Sequence, residues 1–151
     1  QSLDRSAETF RALVKIGADA GIQVCFEPHM QSVTATPEDA LAMIERAPGL
    51  KATLDYSHFI LQYIEPERIH KLIPHTGHVH IRPARYGKLQ TRHAEGTIDF
   101  VDIIGRLKAA NYTGVLALEY VCGGWFDVNQ LDTLTETMVT KRALEPHVPV
   151  A

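Results

Sequence analysis

Four short apolar runs, each ending in or carrying a carboxylate or a histidine, alternate with helical segments along this chain. Residues 22–26 run into Glu27, residues 51–54 into Asp55, and residues 115–118 into Glu119; residues 76–81 carry His78 and His80. The segments between them have helical periodicity: residues 3–20, 37–47, 66–72, 98–110 and 127–144. Thr36 followed by Pro37 and Asp39 reads as a helix start, and Gly21 and Pro48-Gly49 read as stops. Strands that alternate with helices at this spacing must be parallel, joined by right-handed crossovers. Continuous apolar runs suit strands covered on both faces. The pattern therefore predicts a helix followed by four βα units in an α/β fold. Two architectures accommodate it, a doubly wound sheet and a (β/α)₈ barrel. No glycine-rich phosphate loop follows any strand. Chemically active strand ends favour the barrel, because a barrel gathers its strand ends on one rim, whereas an open sheet spreads them along a line. Four units make half a barrel, and residues 1–151 read as one domain of this kind.

Composition narrows the partners. The net charge of −3 disfavours nucleic acid. No apolar run approaches the ~20 residues of a membrane span. Cys25 and Cys122 lie in or just after expected buried strands and read as free thiols of a reduced, cytoplasmic protein. The opening residue is Gln1 rather than Met, and it runs directly into a helical pattern, which reads as a truncated or processed start.

Taken singly, Glu27, Asp55 and Glu119 read equally well as buried ion pairs or helix caps. His78 and His80 alternate by two and share a strand face, yet one histidine alone is an ordinary core residue. Four independent structural explanations at four equivalent strand ends are a poorer account than one divalent-metal site. Three carboxylates and an imidazole suit Mn²⁺, Mg²⁺ or Co²⁺, with Zn²⁺ also accommodated. Without a cation, the carboxylates would raise one another's pKa. Residues 82–97 show no periodicity and hold Arg82, Arg85, Lys88, Arg92 and His93, so they read as a solvated basic loop or as a lid over a polar substrate. Trp125-Phe126 read as packing for the last helix or as closure of the rim.

The sequence resembles the C-terminal half of the xylose isomerase-like TIM barrels. The resemblance is carried by Phe26-Glu27-Pro28-His29, Leu54-Asp55-Tyr56-Ser57-His58, Gly77-His78-Val79-His80, the stretch from Glu95 to Phe100, and Ala117-Leu118-Glu119-Tyr120. It implies one divalent metal held by Glu27, Asp55, His80 and Glu119, with Glu27 and Glu119 as acid/base groups. It further implies a small sugar, sugar phosphate or polyol substrate, contacted by His58 and by an arginine. Arg82 and Arg85 are the nearest arginines, because the family's position six residues after the metal-binding histidine is Tyr86 here; His29 and His78 complete the expected substrate-binding set. The implied activity is isomerisation or epimerisation through an enediolate. Alternatives are a metal-dependent dehydratase of the inosose or dehydroshikimate type, a phosphodiesterase of the same fold, and a non-catalytic binding module. The phosphodiesterase pattern departs at Thr91-Arg92-His93, which lacks the expected Asp. A half-barrel has two open edges, so the chain is expected to pair with a missing N-terminal half-barrel or to form a homo-oligomer.

Overall fold

The computed structural model describes residues 2–125 and 128–148. Helix α1 (Ser2–Asp19) leads into β1 (Cys25–Phe26), then α2 (Pro37–Arg46), β2 (Lys51–Asp55), the single turn α3 (Ser57–Ile60) and α4 (Pro66–Ile69). A 3₁₀ segment, His70–His75, delivers the chain to β3 (Thr76–Ile81). Then come α5 (Phe100–Ala109), β4 (Leu116–Leu118) and α6 (Thr133–Leu144). The four strands form one sheet in the order β1-β2-β3-β4, and every pairing is parallel. This is the expected α/β architecture, half of a TIM barrel. Among the described residues no helix is long and apolar enough to cross a membrane.

Capping decides where helices begin. Thr36 Oγ1 accepts from the Asp39 N–H at 3.1 Å, with Pro37 in the first helical position. Asp99 accepts from the Asp102 N–H at 2.9 Å, so α5 begins at Phe100, two residues later than its periodicity suggests. Asp132 caps α6 in the same way, at 3.1 Å from the Thr135 N–H. The expected helix over 127–144 therefore starts later within the described residues; Asp127 itself lies outside them. The pattern over 66–72 divides into α4 and the 3₁₀ segment, which contains Pro74. The turn α3 had no sequence counterpart; its four residues are buried directly behind Asp55.

The two faces of the sheet differ. On the outer face Phe26, Ala52, Leu54, Val79 and Ile81 are buried. They form a continuous core with Ala40, Met43, Ile69, Leu72, Ile103, Ile104 and Leu107 from the helices. On the inner face Cys25, Glu27, Thr53, His78, His80, Ala117 and Glu119 are only half-buried. Gly77 is required where β3 crosses the foot of this face. A Cβ there would lie 2.6 Å from Cys25 Sγ and 2.8 Å from Lys51 Cβ, and the β2–β3 register shifts beside it, between Ala52 and Thr53.

The edges are short. The expected strand over 22–26 pairs only at Cys25 and Phe26, and Ile22 is 64% exposed. At the other edge Val115 precedes β4 and is 63% exposed. Both cysteines are free as expected, but Cys122 is exposed rather than buried, since the chain has already left the sheet when it reaches that residue.

Candidate metal centre

Each of the four strands delivers one potential ligand to the same rim. Glu27 directly follows β1, Asp55 ends β2, His80 is the penultimate residue of β3, and Glu119 directly follows β4. Parallel pairing sets Asp55 opposite His80. The Glu119 N–H donates to the Ile81 carbonyl at 3.0 Å, which extends the β3–β4 ladder past the last formal pair. One ligand atom from each of the four residues lies within 4.8 Å of the others.

His80 stands between the two glutamates. Its Nδ1 is 2.9 Å from Glu27 Oε1 and 2.8 Å from Glu119 Oε2. The hydrogen bond is directed at Glu27; Glu119 Oε2, as near, is buried outside hydrogen-bond geometry and meets His80 as an ion pair. The two carboxylates, Glu119 first and Glu27 second, hold the imidazole proton and push the His80 pKa up to about 10. Burial pushes the Glu27 carboxyl up, but His80 and the neighbouring His58 outweigh it and hold it below the usual range. Glu119 behaves likewise, with His80 and Arg82 outweighing its burial. A divalent ion fits this arrangement. It would take the place of the shared proton, satisfy the orphaned Glu119 oxygen, and meet three oxygens and one nitrogen, a donor set of hard-to-borderline character.

Asp55 is fully buried and held from two sides. Its Oδ1 accepts from the Ser57 N–H at 2.8 Å, and its Oδ2 accepts from Arg82 Nη2. Arg82 is 2% exposed, one of the largest buried side chains of the described residues. Its Nε donates to Ser57 Oγ at 2.9 Å, and its Nη2 lies 3.1 Å from His58 Nε2 and 3.5 Å from Glu119 Oε2. Arg82 thus lies against Asp55 and Glu119 themselves, while Arg85 is exposed in a turn closed by its own hydrogen bonds with Lys88.

His58 lies on the turn α3, behind the same carboxylates, with Nε2 3.6 Å from Asp55 and 3.8 Å from Glu27. Burial lowers its pKa, although Asp55 acts to raise it. Its Nδ1 is buried without a partner. The His29 ring packs against His58 at 3.9 Å, tilted by 43°, and His29 Nδ1 lies 2.6 Å from the Met30 carbonyl. His78 meets His80 edge-on at 5.2 Å, one strand alternation from the rim, and burial lowers its pKa.

The segment 82–97 is not a solvated loop. Leu89, Gln90 and Thr91 are buried, and Leu89 joins Met30 and Val128 in a small second core. The Thr91 N–H donates to Pro83 O and the Thr97 N–H to Ala84 O, each at 2.8 Å. The Gln90 amide ties the segment to Val121 and Val128. Only Arg85, Arg92 and their neighbours at the tips face solvent. Trp125 is half-exposed, and Phe126 lies outside the described residues.

A family model described as xylose isomerase-like TIM barrel matches residues 1–142. The chain belongs to this family. An uncharacterized protein of Methanocaldococcus jannaschii is 29% identical over 127 residues, covering 78% of this chain and 43% of the relative. A magnesium complex of a xylose isomerase-like TIM barrel protein from Mycobacterium smegmatis superposes with a TM-score of 0.68 at 19% identity, over 94% of this chain and 51% of that one. D-psicose 3-epimerase in the presence of D-fructose gives 0.67 at 20% identity, over 95% and 54%. A probable 3-DHS dehydratase from Bacillus anthracis gives 0.66 at 18% identity, over 92% and 57%. At these identities the likeness is one of fold. The chain spans about half the length of the proteins it matches.

Proposed function

We propose that this chain carries the metal centre and the acid/base pair of a sugar or polyol isomerase or epimerase. The observation that carries the reading is the convergence of Glu27, Asp55, His80 and Glu119, one from each strand, within 4.8 Å. When bound, a divalent ion would supply Lewis-acid stabilisation for negative charge spread over a carbonyl oxygen and its neighbour. The protein supplies the proton carriers. Glu27 and Glu119 belong to the two outermost strands and flank His80, so they address a substrate over the rim from two sides. Both are held ionised, so either can accept a proton from the carbon beside a carbonyl. The electron pair of that C–H bond moves into the carbonyl. Return of the proton to the neighbouring carbon, with the hydroxyl proton of the carbon that lost its hydrogen passing to the former carbonyl oxygen, is isomerisation; delivery of a proton to the opposite face of the same carbon by the second glutamate, after that glutamate has taken one from solvent, is epimerisation. Asp55 and His80 serve as anchors. His58 offers its unpartnered Nδ1 to a substrate oxygen, and His29 holds the His58 ring in place.

Pairing of the rim with further chain is part of the proposal. Ile22 and Val115 are exposed at the two open edges, and the chain covers 51–57% of the three solved structures compared above. We infer that four further βα units of the same polypeptide close the barrel and supply much of the substrate pocket.

The test is to incubate the full-length protein with Mn²⁺ and a panel of ketoses in D₂O and to follow carbon-bound deuterium by NMR. Deuterium entry beside the carbonyl, abolished by Glu119→Gln, is the expected result. No exchange with any ketose would sink the isomerase reading. Loss of water from a substrate would move the chain to the dehydratases, which can use the same ligands.

A further inference from the structure

Arg82 is the one component of the rim whose placement the metal-ligand reading leaves unexplained. It stands two residues beyond His80, so strand alternation aims it at the same face. A guanidinium cannot give up its proton, so burying it demands anions around it. The anions it finds are those of the ligand set: it donates to Asp55 Oδ2 and lies 3.5 Å from Glu119 Oε2. Charge makes sense of this. Glu27, Asp55 and Glu119 carry three negative charges, whereas a divalent ion brings two positive ones. A neutral His80 adds nothing, and Arg82 supplies the remaining positive charge. The same guanidinium reaches Ser57 Oγ and His58 Nε2, so it is held as a fixed part of the rim. Because Arg82 can only donate, His58 Nε2 must accept, which leaves the His58 hydrogen on the unpartnered Nδ1.

We propose that Arg82 is a built-in counter-cation of the metal centre, sharing Asp55 and Glu119 with the divalent ion, bringing the loaded centre to neutrality and holding ion affinity below what the carboxylates alone would give. The proposal rests on the reading of Glu27, Asp55, His80 and Glu119 as metal ligands. It makes Arg82 a positioning residue that acts through Asp55, Glu119 and His58 and does not itself ligate the ion.

The experiment is calorimetric titration of Mn²⁺ into the full-length wild-type protein, Arg82→Lys and Arg82→Met. Removing a positive charge beside a cation site strengthens cation binding. The expected result is that the Met variant binds Mn²⁺ roughly tenfold more tightly than wild type, and the Lys variant within about threefold of it. Equal or weaker binding by a folded Met variant overturns the proposal, as does a Lys variant that binds as tightly as Met. A second measurement needs no variant. The NMR resonance of the Arg82 side-chain Nε–H should shift saturably as Mg²⁺ is added to wild type. A resonance unchanged at saturating Mg²⁺ overturns the proposal. If wild type binds neither ion, the metal-centre reading itself fails and the role of Arg82 falls with it. If wild type binds and only the Arg82 comparisons fail, the metal centre stands without this counter-cation.

Discussion

The outer and inner faces of the sheet are built on opposite terms. Outside, Leu54, Val79 and Ile81 are dry, close-packed against helices and free of charge. Inside, three carboxylates, His80 and a buried arginine are forced together at one rim. The outer face holds the fold by apolar burial; the inner face gathers like charges that the His80 proton and Arg82 offset. A variant on the outer face should therefore disturb stability alone, and one on the inner face chemistry first.

The largest expected effect is on chemistry. Glu119→Gln should lower turnover by roughly 10²–10⁴-fold, the usual loss when an acid/base group is removed. It should also lower urea-unfolding stability at neutral pH, since the Glu119 carboxylate helps to hold the His80 proton, and His80 of the metal-free variant should titrate below about 10. An unchanged His80 titration, followed by NMR, would show that the two groups do not share the proton. The mirror case is Leu54→Ala, fully buried on the outer face of β2. It should cost roughly 2–5 kcal/mol in urea unfolding while leaving the Mn²⁺ affinity of the folded protein unchanged.

Acidity gives the next prediction. His80 keeps its proton up to about pH 10 between its two carboxylates, well above the ordinary histidine value. An ion must displace that proton, so Mn²⁺ affinity should rise with pH, by up to about tenfold per unit through the neutral range, with about one proton released on binding. Calorimetry in buffers of different ionisation enthalpy counts that proton; none released would mean that His80 is not a ligand. In the metal-free protein the same group stabilises fully below the unfolded histidine pKa and loses that contribution as pH rises through about 10. Glu27 and Glu119 are depressed, so their contribution is lost at the acid end, as pH falls through their folded values. The smallest effect belongs to neither face. Thr36→Ala removes the cap of α2 and should cost about 1 kcal/mol with no change in ion affinity.

The same contrast explains what could be read from the sequence. Alternating strands and helices announce themselves through periodicity, and the four rim residues stand out because each is polar where a buried strand ends. The four residues expected at one rim converge there. Arg82 stood out only as one of two arginines expected to contact substrate. A basic residue among Arg85, Lys88 and Arg92 reads as part of a solvated loop or as a substrate contact, and only the fold shows that its neighbours turn outward while it turns in. Gln90 was invisible for a similar reason, since its partners Val121 and Val128 lie far along the chain. Ile22 and Val115 misled in the other direction. Their apolar character predicts burial, yet they sit beside open edges where the described residues leave them 64% and 63% exposed.

The curvature of the sheet has a mechanical consequence. Four strands laid flat would separate the axes of β1 and β4 by roughly 14 Å, three interstrand spacings. Glu27 and Glu119, which follow those two outer strands, nevertheless bring ligand atoms within 4.8 Å. The sheet curls as half of a TIM barrel does, and side chains reaching inward from both edges close the rest of the gap. An ion bound there would act as a clasp across the mouth of an open cylinder, so flattening the sheet and losing the ion become one event. By linkage, if completing the cylinder tightens the clasp, closing the clasp favours completion by the same factor.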